Sequence, residues 1–139
     1  MTKEIMDKAG KAPASARLLL EAGDGDGATN RAYYAMSDAA SAALVWAEVV
    51  TALDRHKTHS GLIANFGLHL VRTGRLAAEF GRSLNRVQEL RLTGDYLAEA
   101  LPLEKAEWAV QEAETFVSGV RQLLTTRPAP TKTGDAPDR

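Results

Sequence analysis

The stretch Asn30 to Thr51 (NRAYYAMSDAASAALVWAEVVT) constrains the fold more than any other, because it runs without a single Gly or Pro. At about 100° per residue, Ala32, Ala35, Met36, Ala39, Ala43, Trp46 and Ala47 fall on one side. Asn30, Arg31, Tyr34, Ser37, Asp38 and Ser41 gather on the other. The alanines allow a second helix to approach closely, and Met36 and Trp46 fill the wider gaps between backbones. The pattern predicts the central helix of a bundle. Its polar side is either a solvated face or a working surface.

The flanking segments read as further helices. Pro13 suits a first helical turn, so a helix is expected over Ala14 to Ala22, with Met1 to Lys11 as a frayed turn. Gly23-Asp24-Gly25-Asp26-Gly27 reads as an interhelical loop that ends in an Asp or Thr cap. A calcium loop would need a later bidentate Glu, and Ala35 and Met36 stand in that region instead. Helical spacing recurs from about Ser60 to Arg72, from about Leu76 to Leu97, and from Leu103 to Leu124, with Thr73-Gly74 and Pro102 as breaks. No segment alternates as a strand. The expected fold is all-α, a four- to five-helix antiparallel up-and-down bundle over residues 1–126. A disordered C-terminal tail is expected over residues 127–139, which carry Pro128, Pro130 and Pro137.

Composition narrows the chemistry. A chain of 139 residues suits one domain with a real core. The absence of cysteine excludes disulfides, thiolate metal sites and cysteine nucleophiles. No apolar run approaches the roughly 18 residues of a membrane span, and no signal-peptide core is evident, so a cytoplasmic protein without membrane contact is expected. Net charge is −1, which gives no global field for nucleic acid. The charges are nevertheless segregated. Arg55, Lys57, Arg72, Arg75, Arg82, Arg86 and Arg91 dominate the middle of the chain, and Asp95, Glu99, Glu104, Glu107, Glu112 and Glu114 follow. Either the basic segment is a phosphate-binding patch or the two segments pair with each other.

Arg91 and Asp95 lie in line with the apolar stripe Phe80, Leu84 and Val87, and Tyr96 adds a phenol beside them. Charges in such a position are matched to each other or to a functional cleft. His56 and His59 are three residues apart, but no third ligand stands at a familiar metal spacing, so neither metal nor cofactor is expected. Thr58, His59 or Ser60 is read as the cap of the following helix. A neutral histidine beside arginines also has the chemistry of an acid or base near pH 7. Neither a phosphate-binding glycine loop nor a nucleophile elbow is present.

Three runs, RAYYAM at 31–36, KTHSGLIANFG at 57–67 and LRLTGDYL at 90–97, resemble the HEPN family (higher eukaryotes and prokaryotes nucleotide-binding) in order and spacing. The resemblance implies a helical bundle, often a homodimer. It also implies either a metal-independent endoribonuclease of toxin–antitoxin or phage-defence systems, or a partner of a minimal nucleotidyltransferase. In the nucleases an Arg is followed after four to six residues by a His. Here Tyr96, Leu97 and Ala98 occupy the places where that His would stand after Arg91. Three readings follow. In the first, a non-catalytic module binds RNA, nucleotide or a nucleotidyltransferase through a groove of Arg31, Tyr34, His59, Arg91, Asp95 and Tyr96. In the second, a nuclease uses His59 as a substitute base, from another helix or from the partner protomer, with Arg31 or Arg91 on phosphate. In the third, the chain is a dimerisation scaffold whose polar helix face meets only water.

Overall fold

The structure, a computed structural model, describes residues 2–49, 58–97 and 99–126. These form five α-helices and no strand: α1 (Thr2–Glu21), α2 (Gly25–Trp46), α3 (His59–Phe66), α4 (Ala78–Tyr96) and α5 (Leu103–Leu124), with α3 continuing as a π-helical turn, Gly67–Val71. The expected all-α bundle is what the chain forms. The expected tail at 127–139 lies outside the described residues, as does His56.

Side-chain contacts give the helix directions. Arg17, late in α1, reaches Glu107 and Glu114 in the early and middle parts of α5, whereas Gly10 sits against Arg121 near the α5 end. These two helices therefore run antiparallel. The start of α2 and the end of α4 meet at Leu101. A methyl group added at Gly25 would lie 2.8 Å from the Leu101 carbonyl oxygen, and one added at Gly94 would lie 2.9 Å from the Leu101 side chain. Two glycines thus allow the segment before α5 to press between two helix ends. The Leu101 amide donates to Asp26 Oδ1 at 3.0 Å, which locks that crossing.

The first helix extends well beyond its expected start. Residues 2–11 are helical, and Pro13 stands inside α1 rather than at its first turn. Ile5, Met6, Ala9, Pro13, Ala16 and Leu20 are all buried, a spacing of three to four residues that spans the proline. An interior proline costs a helix on the order of 3 kcal/mol, so this packing must offset the lost hydrogen bond. The glycine run is also shorter as a loop than expected. Asp24 accepts from the Gly27 amide at 2.8 Å and caps α2, so Gly25 and Gly27 belong to the helix.

The α2 helix ends at Trp46, before the expected Thr51, and Glu48 beyond it adopts φ 61°. Its alanine face is core: Ala32, Ala35, Met36, Ala39 and Ala43 have no exposed surface. Two residues of the expected polar face are core as well, because Ser37 and Ser41 are buried. α2 is packed by α1, α4 and α5 from several sides, and small hydroxyl residues fit where a long polar side chain would not. The rest of the core joins Leu84, Val110 and Val120 to a run of aromatic rings in which Phe116 touches both Phe66 and Phe80.

Candidate ligand site at the α2, α3 and α4 contact

Three helices bring one cluster together. Thr58 starts α3 by accepting the Gly61 amide at 3.1 Å, which makes His59 the first helical residue and fixes its ring against α2. Tyr33 and Tyr34 project from α2. Tyr33 has no exposed surface, whereas Tyr34 keeps 39%. The His59 ring stands edge-on to both, with centroids 5.0 Å from Tyr33 and 5.7 Å from Tyr34. From α4, the Arg91 guanidinium covers the same pair, 5.2 Å from the Tyr33 centroid and 5.8 Å from that of Tyr34.

Arg91 is held on its own helix. Its Nε donates to Gln88 Oε1 at 2.9 Å, and Nη1 reaches Asp95 Oδ2 at 3.4 Å. Only 12% of the Arg91 side chain is exposed, against 61% for Asp95. The carboxylate partner is therefore distant, singly bonded and hydrated, and the positive charge inside the cluster is poorly neutralised.

The buried phenol decides the state of His59. Tyr33 Oη lies 3.1 Å from His59 Nδ1. Burial pushes the Tyr33 phenol up to about 12, against a smaller opposing pull from Arg91. It is thus a neutral hydroxyl at pH 7, and among the described residues His59 is its hydrogen-bond partner. A buried O–H donates where it can, which favours the tautomer with the His59 proton on Nε2 and Tyr33 donating to Nδ1; in the other tautomer Nδ1–H donates to the phenol oxygen. Burial, and then the Arg91 charge, hold the His59 pKa below its ordinary value. The cluster therefore offers a neutral imidazole N–H, a guanidinium and the half-exposed Tyr34 ring. These are donors and a stacking face suited to an anionic oxygen beside a planar group.

Of the residues expected to share a groove, Tyr34, His59, Arg91 and Asp95 come together. Arg31 does not join them: it is exposed and lines a separate groove between α1 and α2, which Tyr34 also borders. Tyr96 stands 86% exposed at the end of α4, and makes no ring contact with the cluster. Sequence reasoning missed Tyr33 and Gln88. The signal for Tyr33 was its spacing to Met36, Ala40 and Leu44, all buried, which places it on the core side of α2. The signal for Gln88 was its place three residues before Arg91, on the same helix face. Of the two alternatives for the segregated charges, pairing between the basic and acidic segments is represented among the described residues by Arg91 and Asp95, while Glu107 and Glu114 of α5 bind Arg17 of α1 instead. Among the described residues, no group of three or more His, Asp or Glu side chains could hold a metal ion, and no helix is long and apolar enough to cross a membrane.

The chain is similar in sequence to several known proteins. A UPF0332 protein of Gloeobacter violaceus, glr0978, is 37% identical over 94 residues, 68% of this chain and 71% of its own. A UPF0332 protein of Thermotoga maritima is 36% identical over 111 residues, 78% of this chain and 80% of its own. The Methanocaldococcus jannaschii protein named "Putative toxin MJ0605" is 32% identical over 111 residues, 80% of this chain and 79% of its own. The HEPN domain model matches residues 2–123, nearly all of the described bundle, and the chain belongs to the HEPN domain family.

Proposed function

We propose that this toxin-like HEPN protein binds RNA or a nucleotide at the Tyr34–His59–Arg91 cluster as a non-catalytic module of a prokaryotic toxin–antitoxin or defence system. The observation that carries the reading is the state of Arg91, a mostly buried guanidinium with one weak carboxylate partner, laid over two tyrosine rings. A buried cation so poorly compensated is costly to the fold, and an incoming phosphate would neutralise it. His59 Nε2–H adds a second donor, and Tyr34 offers a face for a base. The Arg-x4-6-His arrangement is missing from the chain, and in the tautomer in which Tyr33 donates to Nδ1 the second imidazole nitrogen carries a proton instead of a lone pair. A homodimer and a minimal nucleotidyltransferase partner belong to the same proposal on family membership alone, and the name of one relative, "Putative toxin MJ0605", supports only the toxin–antitoxin setting.

The test is retention of a labelled RNA pool by purified protein in EDTA, wild type beside Arg91→Ala, with circular dichroism to verify folding. Retention by wild type and its loss in a folded Arg91→Ala variant are the expected results. Equal retention by the two proteins would make the cluster a structural feature.

One observation favours a second reading, a metal-independent endoribonuclease. His59 shares the aromatic cluster with Arg91 although it comes from another helix. If His59 instead donated from Nδ1 to the phenol oxygen, Nε2 would present a lone pair as a general base. RNA cleavage in EDTA that disappears in His59→Ala would establish this reading over the first.

A further inference from the structure

The groove between α1 and α2 has a volume of about 710 Å³ and meets the Arg91 cluster at one shared residue, Tyr34. Its walls carry Lys8 and Lys11, one turn apart on α1, and Arg31 on α2. They also carry three carboxylates, Glu4, Asp7 and Asp38, so that by formal charge the groove is neutral. The carboxylates are not equivalent, however: Glu4 and Asp38 each have an interaction partner, whereas Asp7 makes no ion pair among the described residues. Among the described residues, Lys8, Lys11 and Arg31 have no carboxylate within ion-pair distance. Among the described residues the groove therefore presents three cations with no ion-pair partner, Lys8, Lys11 and Arg31, open to solvent and continuous with a tyrosine face.

We infer that this groove is an extended subsite for a single-stranded nucleic acid, which continues from Arg91 across Tyr34 to Lys8, Lys11 and Arg31. The inference rests on the proposed RNA or nucleotide binding at the cluster, and it narrows the ligand from a mononucleotide to a strand of several nucleotides. A phosphodiester backbone needs spaced cations that need not be rigid, which long, unpaired lysine and arginine side chains on neighbouring helices provide. Tyr34, between the two anion sites, serves as the stacking platform for the intervening base. A free nucleotide would use the cluster and leave the groove empty.

The experiment measures the affinities of a labelled eight-nucleotide RNA, DNA of the same sequence, and AMP for the full chain, as a function of salt. Wild type is compared with Arg91→Gln and with the triple variant Lys8→Gln, Lys11→Gln, Arg31→Gln. All three changes lie at exposed or partly exposed positions, and circular dichroism checks the fold. The expected result is that the triple variant loses at least about tenfold in affinity for the oligonucleotide. Its log–log salt slope should shrink by about 2, since each phosphate contact on a single strand contributes about 0.7. AMP binding should be unchanged, while Arg91→Gln should lose both ligands. RNA preferred over DNA would assign the ligand as RNA, and equal binding would assign any single strand; either supports the subsite. Unchanged oligonucleotide affinity in the triple variant, with Arg91→Gln still defective, would overturn the groove and leave the cluster standing. Failure of wild type to bind any of the three ligands would overturn both.

Discussion

Two arginines in this molecule hold contrasting positions. Arg17 on α1 lies between two carboxylates of α5, with Nη1 to Glu107 and Nη2 to Glu114 at 2.8 Å each. Its pKa is raised by those hydrogen bonds, and the carboxyl of Glu107 is held below its ordinary value by the same contact. Arg91 is more buried, at 12% side-chain exposure against 31%, yet among the described residues it has only Asp95 at 3.4 Å and the neutral Gln88. Geometry alone would therefore place the stronger ionic partners where they are least needed. A surface arginine clasped by two glutamates ties one helix to another. A sequestered arginine backed by tyrosine faces keeps a field that its one distant carboxylate neutralises poorly, which is what the proposed binding rests on.

The largest effect expected from breaking this contrast is on binding. Arg91→Ala should reduce RNA affinity by at least about tenfold, on the scale of one lost charge-assisted phosphate contact, as read by fluorescence anisotropy. Arg91→Lys should recover little of it, because an ammonium cannot lie flat over two rings while bonding Gln88 through Nε. Recovery in Arg91→Lys would mean that only charge matters at that position.

Tyr33→Phe sharpens the comparison from beneath Arg91. It removes the donor to His59 and should cost about 1 kcal/mol in denaturant unfolding at neutral pH. It also changes the alkaline limb. The phenol is raised from 10.0 to about 12, so the unfolded chain ionises first as pH rises. Wild-type stability should fall between about pH 10 and 12. In Tyr33→Phe that part of the loss should vanish, and a persistent alkaline loss would assign it to other groups.

His59→Gln addresses the acid side. The folded pKa of His59 lies below its ordinary 6.5, so the unfolded chain takes up a proton first as pH falls. The contribution of a neutral His59 is complete above about pH 6.5, and stability should decline as pH drops from there through the folded pKa. Thermal unfolding between pH 4 and 7 should show a shallower decline for His59→Gln than for wild type. The smallest effect is expected at Arg17. Arg17→Ala should leave RNA affinity unchanged and lower stability slightly, by an amount that added salt suppresses, as for exposed ion pairs generally. A loss of RNA binding in Arg17→Ala would erase the distinction between the two arginines.

Several helix limits were legible along the chain. Leu103–Leu124 matches its expected span because Pro102 can begin a helix but cannot extend one, and the apolar spacing is unbroken behind it. Thr58 capping α3 and Asp24 capping α2 were readable from residue type and position. The start of α1 was not, because Pro13 reads locally as a helix start, and only burial of Ile5, Met6 and Ala9 against neighbouring helices lets the helix continue through it. The α2 polar face was half legible for the same reason. Ser37 and Ser41 are hydrophilic by type, but several helices surround them.

By itself the sequence determined the class of fold, the alanine-faced central helix and the identity of the charged residues near the apolar stripe of α4. Helical periodicity and capping are local properties, and a single chain records them directly. Only tertiary structure decided which groups share a site. His59 and Arg91 stand on different helices, and Tyr33 is buried between them, in hydrogen-bond contact with one and beneath the other, which no local pattern states. Arg31 and Tyr96, neighbours of the site in sequence, were turned away from it by the rotation of their helices, one into the α1–α2 groove and the other into solvent. A helix turns about 100° per residue, so a one-residue step along the chain reaches a different partner, and packing chooses which partner that is.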